Sequence, residues 1–375
     1  MIMQRSLSRS KVKASLEVLG WTQSKLAENV GVTPQAVTNW MSGSDFPRPD
    51  KLLKLATILK LAFNDLVEAQ SDQPIVAFKK KGGAKTTEIH RQKAVAMGIM
   101  LRPLVPYLPH VKSLRTVIST PSTEYDALQS AVEEVRSKLC IGKDSSLCYE
   151  DIITEFGRND AVIIPVMWGQ KDRHENALHI LLPADQVTFI YLNLDTYIED
   201  FKFWMCHELA HVYTPELAGK DEGENFADAF AGALLFPRDQ ASKAHAEATA
   251  MTTQQGEMAV LLRYAEENEI SLFTVYCQIR NYALALGLAP LRTTDQSLHA
   301  VRTMKRGNLV SEILFDEVPP LPNAFIACAD TAFQSHFFTA LQQMLRDKET
   351  GVGYLQQVLD ISIQDASALH AELIS

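Results

Sequence analysis

Two histidines four residues apart, with a glutamate beside the first, are the clearest chemical signature of this 375-residue sequence. The segment His-Glu-Leu-Ala-His occupies residues 207–211, in a stretch whose apolar period predicts a helix over 197–213. Residues four apart project from one face of a helix, so His207 and His211 can reach a single metal ion. Zinc accepts such nitrogens together with a third protein ligand and a water molecule, and Glu208 stands where it can take that water's proton.

The third ligand has to come from another segment, and a second predicted helix, 221–235, begins with several acids. The candidates are Glu222, Glu224 and Asp228, of which Glu224 is the preferred ligand. Because Glu224 and Asp228 are four residues apart, they share one helix face. One can then bind the metal while the other holds a ligand histidine by a hydrogen bond. Two histidines and one glutamate form a known catalytic zinc set, although manganese and iron also accept it.

These residues resemble the ImmA/IrrE family of zinc metallopeptidases. The likeness rests on the His-Glu-Leu-Ala-His helix, the acidic start of the next helix and its closing Phe-Ala-x-x-Leu-Leu-x-Pro, and it covers roughly residues 120–290. It implies an alpha-beta peptidase domain that cuts a repressor protein. The chain departs from the family at Phe226, where many relatives carry a second acid. The resemblance implies three Zn²⁺ ligands and one general base. The ligands would be His207, His211 and Glu224, and the base would be Glu208.

Peptide hydrolysis also needs a group that stabilises the developing oxyanion, and the sequence does not single one out. Four side chains could do so, although packing or a surface position is the favoured role for each: Tyr213, Tyr264, His174 and His179. Cys206 points about 100° away from His207 on the helix, which favours a buried thiol over a metal ligand. The other cysteines are scattered without a CxxC pair, so reduced structural thiols are expected.

Residues 22–42 carry a second signature, two short predicted helices around Gly31. Thr22 and Thr33 stand at N-cap positions, and apolar residues follow them at helical spacing. In such a motif the second helix enters the major groove of DNA while the first crosses the phosphates. Outward-facing polar side chains are predicted to bind DNA, with Gln35 reading an adenine edge. The predicted DNA-binding residues are Gln23, Lys25, Gln35, Thr38 and Asn39.

The pattern Thr-Gln-x-x-Leu-Ala…Val-Thr-x-x-x-Val-x-x-Trp resembles the XRE/Cro-C1 class of helix-turn-helix domains and covers roughly residues 8–68. The resemblance implies double-stranded DNA as a partner. Since DNA-binding domains of this class often dimerise on symmetric DNA sites, it also implies a homodimer. Residues 1–70 hold nine Lys or Arg against six acids, whereas the whole chain has a net charge of −9. Arg9, Lys11 and Lys25 are expected to neutralise phosphates. The same fold also serves as a protein-interaction module.

Length and breaks in the hydrophobic pattern predict a multidomain protein. The expected fold combines an all-α helix-turn-helix N-terminal domain, an α+β zincin-like metallopeptidase domain and a mainly helical C-terminal region. The boundaries are 8–68 for the first domain, 69–95 for a basic linker, 96–290 for the metallopeptidase domain and 291–375 for a helical region of unknown role. Three β-rich runs predict a small antiparallel sheet, at 161–168, 176–183 and 188–194.

Three functional hypotheses remain at this point. The first is a DNA-binding regulatory zinc metalloendopeptidase that cleaves a repressor or antitoxin-like protein to control transcription. The second is a non-enzymatic transcription regulator whose metal-stabilised, peptidase-like domain senses a ligand. The third is cleavage in cis within the linker, which would release the helix-turn-helix. No apolar run reaches membrane length and the start has no signal-peptide core, so a cytoplasmic location without a membrane partner is expected.

Overall fold

The computed structural model describes residues 5–42, 45–69, 73–77, 88–109, 117–169, 176–304, 307–348 and 350–375. The chain divides into two compact units, Met1–Asp72 and Gln73–Ser375. The division lies close to residue 68, where the helix-turn-helix domain is predicted to end. Within the described ranges, no helix has both the length and the apolarity needed to cross a membrane.

The first unit consists of five short helices and a two-stranded antiparallel ladder. The helices are α1 (Arg9–Leu19), α2 (Gln23–Val30), α3 (Pro34–Ser42), α4 (Pro49–Leu59) and α5 (Phe63–Leu66), and the strands are β1 (Arg5–Leu7) and β2 (Val67–Ala69). The five helices agree with the predicted helical domain, but the ladder corrects the all-α expectation. Each strand has three residues, too few for an alternating pattern to reveal it.

The helix-turn-helix itself is formed by α2, α3 and the turn at Gly31. The hydroxyl of Thr22 accepts a hydrogen bond from the backbone N–H of Lys25 at 3.2 Å and so caps α2. Gly31 ends α2 in the left-handed conformation, with φ at 74°, which costs glycine little and other residues more. Apolar side chains of both helices are buried, among them Leu26, Val30, Val37 and Trp40. The local sequence signals therefore produced the predicted motif.

The second unit contains a four-stranded mixed sheet. Its strands are β3 (Ile75–Ala77), β4 (Ala161–Val166), β5 (Ala177–Leu182) and β6 (Val187–Asn193), in the spatial order β3-β5-β6-β4. Strand β5 is antiparallel to β3 and β6, but β4 is parallel to β6, so the predicted all-antiparallel sheet was wrong for that strand. Side chains alternate in the same way in both kinds of strand, so the hydrophobic pattern did not distinguish them.

Strand β3 lies inside the segment predicted as a basic linker, residues 69–95. Helix α6 (Glu88–Leu101) also begins in that segment, whereas residues 78–87, with the lysine run, lie outside the described residues. Pro74 packs so closely on α6 that a Cβ added at Gly98 would lie 2.6 Å from it. The described part of the predicted linker after residue 72 is therefore structure belonging to the second unit.

Helices surround the sheet and make up the rest of the second unit. They are α7 (Tyr125–Lys138), α8 (Tyr149–Arg158), α9 (Ile198–Tyr213), α10 (Asp221–Leu235), α11 (Arg238–Ala250), α12 (Gln254–Asn268), α13 (Leu272–Leu286), α14 (Asp295–Met304), α15 (Val310–Leu314), α16 (Pro322–Thr331), α17 (Phe337–Lys348), α18 (Val352–Leu359) and α19 (Ile363–Ile374). Short 3₁₀ segments occur at Arg102–Tyr107 and Pro215–Leu217. The helices predicted at 197–213 and 221–235 are confirmed as α9 and α10.

Residues 291–375 belong to the same unit as the sheet. The indole N–H of Trp168 donates to the carbonyl of Leu359 at 2.9 Å, and the hydroxyl of Tyr191 donates to the carbonyl of Val358 at 2.8 Å. Buried side chains of these C-terminal helices join the same hydrophobic core as the sheet. The C-terminal region, whose role was unknown from the sequence, is thus an extension of the sheet-containing body.

Gly223 lets α10 begin directly against the turn that follows α9. A Cβ added at Gly223 would lie 2.2 Å from the carbonyl oxygen of Leu217, in the 3₁₀ segment, which no ordinary packing allows. Glu224 is the next residue in the chain. The close backbone approach at Gly223 therefore helps to fix where the Glu224 carboxylate enters the interior.

Gly223→Ala is expected to lower the free energy of unfolding by about 1–3 kcal/mol, because the backbone of α10 has to move to relieve the contact. The displacement should also weaken zinc binding, since it moves Glu224. The matched control is Gly157→Ala in α8, where an added Cβ meets nothing within 4 Å. That change should stabilise the helix by up to about 1 kcal/mol. Urea denaturation of both variants tests the prediction, and equal effects would contradict it.

Candidate metal centre and DNA-binding face

Helix α9 places His207 and His211 side by side on its buried face. Their Nε2 atoms are 3.2 Å apart, and each side chain is 1% exposed. The helix packs against β5, β6 and α10, which together remove both imidazoles from water. Two ring nitrogens that face each other this closely need a proton or a cation between them.

Glu224, in the first turn of α10, completes a triangle with the two histidines. One carboxylate oxygen is 3.4 Å from His207 Nε2, and the other is 3.3 Å from His211 Nε2. Burial raises the pKa of Glu224, but the two histidines outweigh it and bring the pKa below its ordinary value. Ligand atoms of a tetrahedral zinc ion, with bonds of about 2.0–2.1 Å, lie about 3.3 Å apart. The donor set and its spacing therefore fit zinc.

Asp228, one turn further along α10, contacts the other ring nitrogen of His207, with Oδ1 and Nδ1 3.0 Å apart. When Nδ1–H donates to this carboxylate, the lone pair of Nε2 is left to face Glu224 and His211. Burial lowers the pKa of His207, but the hydrogen bonds to Asp228 and Glu224 outweigh it and raise the pKa to about 9. The structure thus brings together the four residues that the sequence assigned to metal binding and its support.

Glu208 is buried beside this group and faces His179 of β5. Its Oε2 atom is 3.7 Å from His179 Nδ1, and the His179 ring centroid is 5.4 Å from that of His211. Neither ring nitrogen of His179 has a hydrogen-bond partner among the described residues. Burial keeps the pKa of His179 well below its ordinary value, so the ring is neutral. A buried neutral imidazole with an unused N–H can donate to a bound substrate.

The two tyrosines considered for oxyanion stabilisation have their hydroxyls engaged elsewhere. The Tyr213 hydroxyl donates to Glu155 at 2.9 Å, and the Tyr264 hydroxyl donates to Glu247 at 2.8 Å. Both hydroxyls therefore connect packed helices, which confirms the favoured packing role over oxyanion stabilisation. His174 lies outside the described residues. Among the three candidates that the structure describes, His179 is the one that lies beside Glu208.

Two neighbours of His207 on α9 were not singled out from the sequence. Phe203 and Trp204 precede it by four and three residues, and their ring centroids lie 6.4 and 5.8 Å from its own. Cys206, in contrast, is fully buried, which confirms the predicted buried thiol, and burial raises its pKa to about 12. The spacing of the aromatic residues was visible, but such a pair more often marks core packing.

In the first unit, the residues predicted to bind DNA lie on the outer faces of α2 and α3. Gln35 donates from Nε2 to Asn39 Oδ1 at 2.9 Å. The Gln35 amide keeps an oxygen and one N–H for a base, which is the pair that reads adenine. Asn39 is half-buried, and the other predicted contacts are exposed: Gln23, Lys25, Gln35 and Thr38.

The cations assigned to phosphate all have partners within the unit. Lys25 contacts Glu28 at 2.8 Å and Lys11 contacts Asp65 at 3.7 Å, and these side chains are exposed. Arg9 donates to the backbone carbonyl of the last residue of α3 and so ties α1 to the recognition helix. Exposed ion pairs contribute about 0–1 kcal/mol. DNA phosphates can therefore replace the acidic partners of Lys11 and Lys25. Arg9 is better described as a structural contact.

Gln35→Ala is expected to weaken binding to the preferred operator by about 1–3 kcal/mol, and to relax base preference at one adenine position. The reason is loss of a bidentate contact from the start of the recognition helix. The control is Thr57→Ala, at an exposed position of α4, which is not one of the two helices of the motif. Selection of operators from random DNA, followed by binding titrations at fixed salt, measures both effects. An unchanged preferred sequence in the Gln35 variant would contradict the assignment.

Comparison with known families identifies the N-terminal part of the chain. Residues 12–66 match the family model described as helix-turn-helix. Neither the curated proteins nor the solved structures gave a match. These comparisons give no support to the resemblance of residues 120–290 to the ImmA/IrrE family. The chain carries an N-terminal helix-turn-helix domain, the module of DNA-binding transcription regulators.

Proposed function

We propose that this protein is a DNA-binding regulatory zinc metalloendopeptidase that cleaves a repressor or antitoxin-like protein and thereby controls transcription. The proposal rests on the triangle of His207, His211 and Glu224, whose facing atoms are 3.2–3.4 Å apart. In the part of the chain that the structure describes, this ligand group has three members. Catalytic zinc sites use three protein ligands and structural sites use four.

Different residues of the chain would carry out different steps of hydrolysis. His207, His211 and Glu224 would hold the zinc, and Asp228 keeps His207 in the tautomer that binds. When bound, zinc supplies Lewis acidity that polarises a peptide carbonyl and makes water a stronger nucleophile. Glu208 takes the proton from the attacking water and passes it to the leaving amine. The neutral ring of His179, beside Glu208, would donate a hydrogen bond as negative charge develops on the carbonyl oxygen.

The experiment that tests this function looks for new protein termini in cells. Cells that express the wild type are compared with cells that express a His207→Ala/His211→Ala variant, by mass spectrometry of N-terminal peptides. A new N-terminus inside one transcription regulator is expected with the wild type alone. The control is His336→Ala, which removes an exposed histidine of the same unit. Identical termini and identical promoter activity in all three strains would reject the proposal.

The second candidate is a non-enzymatic regulator whose peptidase-like domain is stabilised by the metal. The observation that favours it is the burial of both imidazoles at 1% exposure and of Glu208 at 4%. A metal enclosed to this degree contributes its binding free energy to folding, whether or not hydrolysis occurs. This candidate requires transcriptional control to survive when the proton-transferring carboxylate is removed.

A further inference from the structure

The metal-binding face of α9 continues beyond His207 into two aromatic side chains. Phe203 and Trp204 lie one turn earlier, with ring centroids 5.9 Å apart and in edge-on contact. The Trp204 ring also meets the His207 ring edge-on. Both aromatic side chains are partly exposed. Since residues three and four apart share a helix face, the aromatic pair and the two histidines form one continuous surface.

The centre is closed on one side and opens on the other. His211 and His179 form the closed side, each with a side chain 1% exposed. Glu224 is 15% exposed and Asp228 is 45% exposed, so the opening lies towards these two carboxylates. Of the two histidine ligands, His207 is the nearer to the opening, because it contacts Asp228 and lies beside both partly exposed aromatic rings. A molecule that approaches the triangle of His207, His211 and Glu224 from solvent therefore comes close to this aromatic pair.

We infer that Phe203 and Trp204 form the wall of a specificity pocket, which accepts an apolar or aromatic side chain next to the scissile bond. The inference rests on the proposed function and adds a substrate class to it. Partly exposed rings gain from contact with an apolar group, and aromatic partners add edge or offset stacking. Ligand pockets commonly combine such walls with a few polar groups that fix orientation.

Two hydroxamates that share one metal-binding group test the wall without a protein substrate. Zinc-loaded protein is titrated with acetohydroxamate and with 3-phenylpropanohydroxamate by calorimetry. We expect the phenyl compound to bind at least about tenfold more tightly, because covering about 60 Å² of apolar surface is sufficient for that ratio. Trp204→Ala should remove most of this gain and Phe203→Ala part of it. The gain of each variant is measured against its own affinity for acetohydroxamate, and binding of that compound shows that the variant is folded.

Matched variants separate the wall from a general effect of losing an aromatic residue. Trp204→Phe should keep most of the gain, and Phe273→Ala, which removes a 43% exposed ring on α13, should change neither affinity. Equal affinities of the two hydroxamates for the wild type would overturn the inference, even if Trp204→Ala failed to fold. A gain that survives both alanine changes would also overturn it. If neither hydroxamate binds the zinc-loaded wild type, the proposed catalytic centre fails and the inference fails with it.

Discussion

Glu208→Gln is expected to leave zinc fully bound and to lower the rate of peptide hydrolysis by about 10²–10⁴-fold. Glutamine has nearly the same shape as glutamate, so the packing around His179 and the metal ligands is preserved. It cannot accept the proton of the attacking water, however, and the general-base step is lost. Elemental analysis measures the zinc, and the cleavage rate is measured on the protein whose new N-terminus appears in cells.

The same variant separates the two candidate functions. A matched control is Glu216→Gln, an exposed carboxylate in the 3₁₀ segment after α9, which should change neither zinc content nor cleavage. In cells, Glu208→Gln should abolish the promoter response while operator binding by the first unit persists. If the promoter is controlled normally by a zinc-loaded Glu208→Gln protein, hydrolysis is not the output and the non-enzymatic regulator is favoured.

The helix-turn-helix could be predicted from sequence because its determinants are local. The Thr22 cap, the left-handed Gly31 and the apolar faces of α2 and α3 act over a few residues each, and the structure has all of them. The contact of Arg9 with the end of α3 was not predictable in this way, because it joins residues 33 positions apart. Basic character alone suggested a phosphate contact, and tertiary structure gave the side chain another role.

The metal centre shows the same division between local and distant information. Helical spacing was sufficient to place His207 with His211 and Glu224 with Asp228, since each pair lies on one helix face. His179 reaches the site from β5, and no spacing rule connects a strand residue with a helix so far along the chain. Its proposed role rests on its burial and on the 3.7 Å distance between His179 Nδ1 and Glu208 Oε2. The parallel pairing of β4 was hidden for a related reason, since strand direction depends on how the intervening chain packs.

Glu224→Gln should weaken zinc binding by more than about 100-fold, whereas Asp228→Asn should weaken it by about 10–100-fold. Glu224 supplies the negative charge that faces both histidines, at 3.4 and 3.3 Å, and a neutral amide oxygen is a poorer ligand. Asp228 acts through His207 by fixing its ring and tautomer, so its loss should cost less. Competition with a chromophoric chelator at constant pH measures both affinities.

Thermal unfolding provides a second measurement of this ranking of zinc affinities. A ligand that binds the native state at 100 times its dissociation constant stabilises it by about 2.7 kcal/mol, so zinc should raise the Tm of the wild type. That increase should shrink with Asp228→Asn and vanish with Glu224→Gln at equal zinc concentration. The matched control is Glu222→Gln, an exposed acid of the same helical turn, which should retain the full increase. If Glu222→Gln loses zinc while Glu224→Gln retains it, the third ligand has been assigned to the wrong carboxylate.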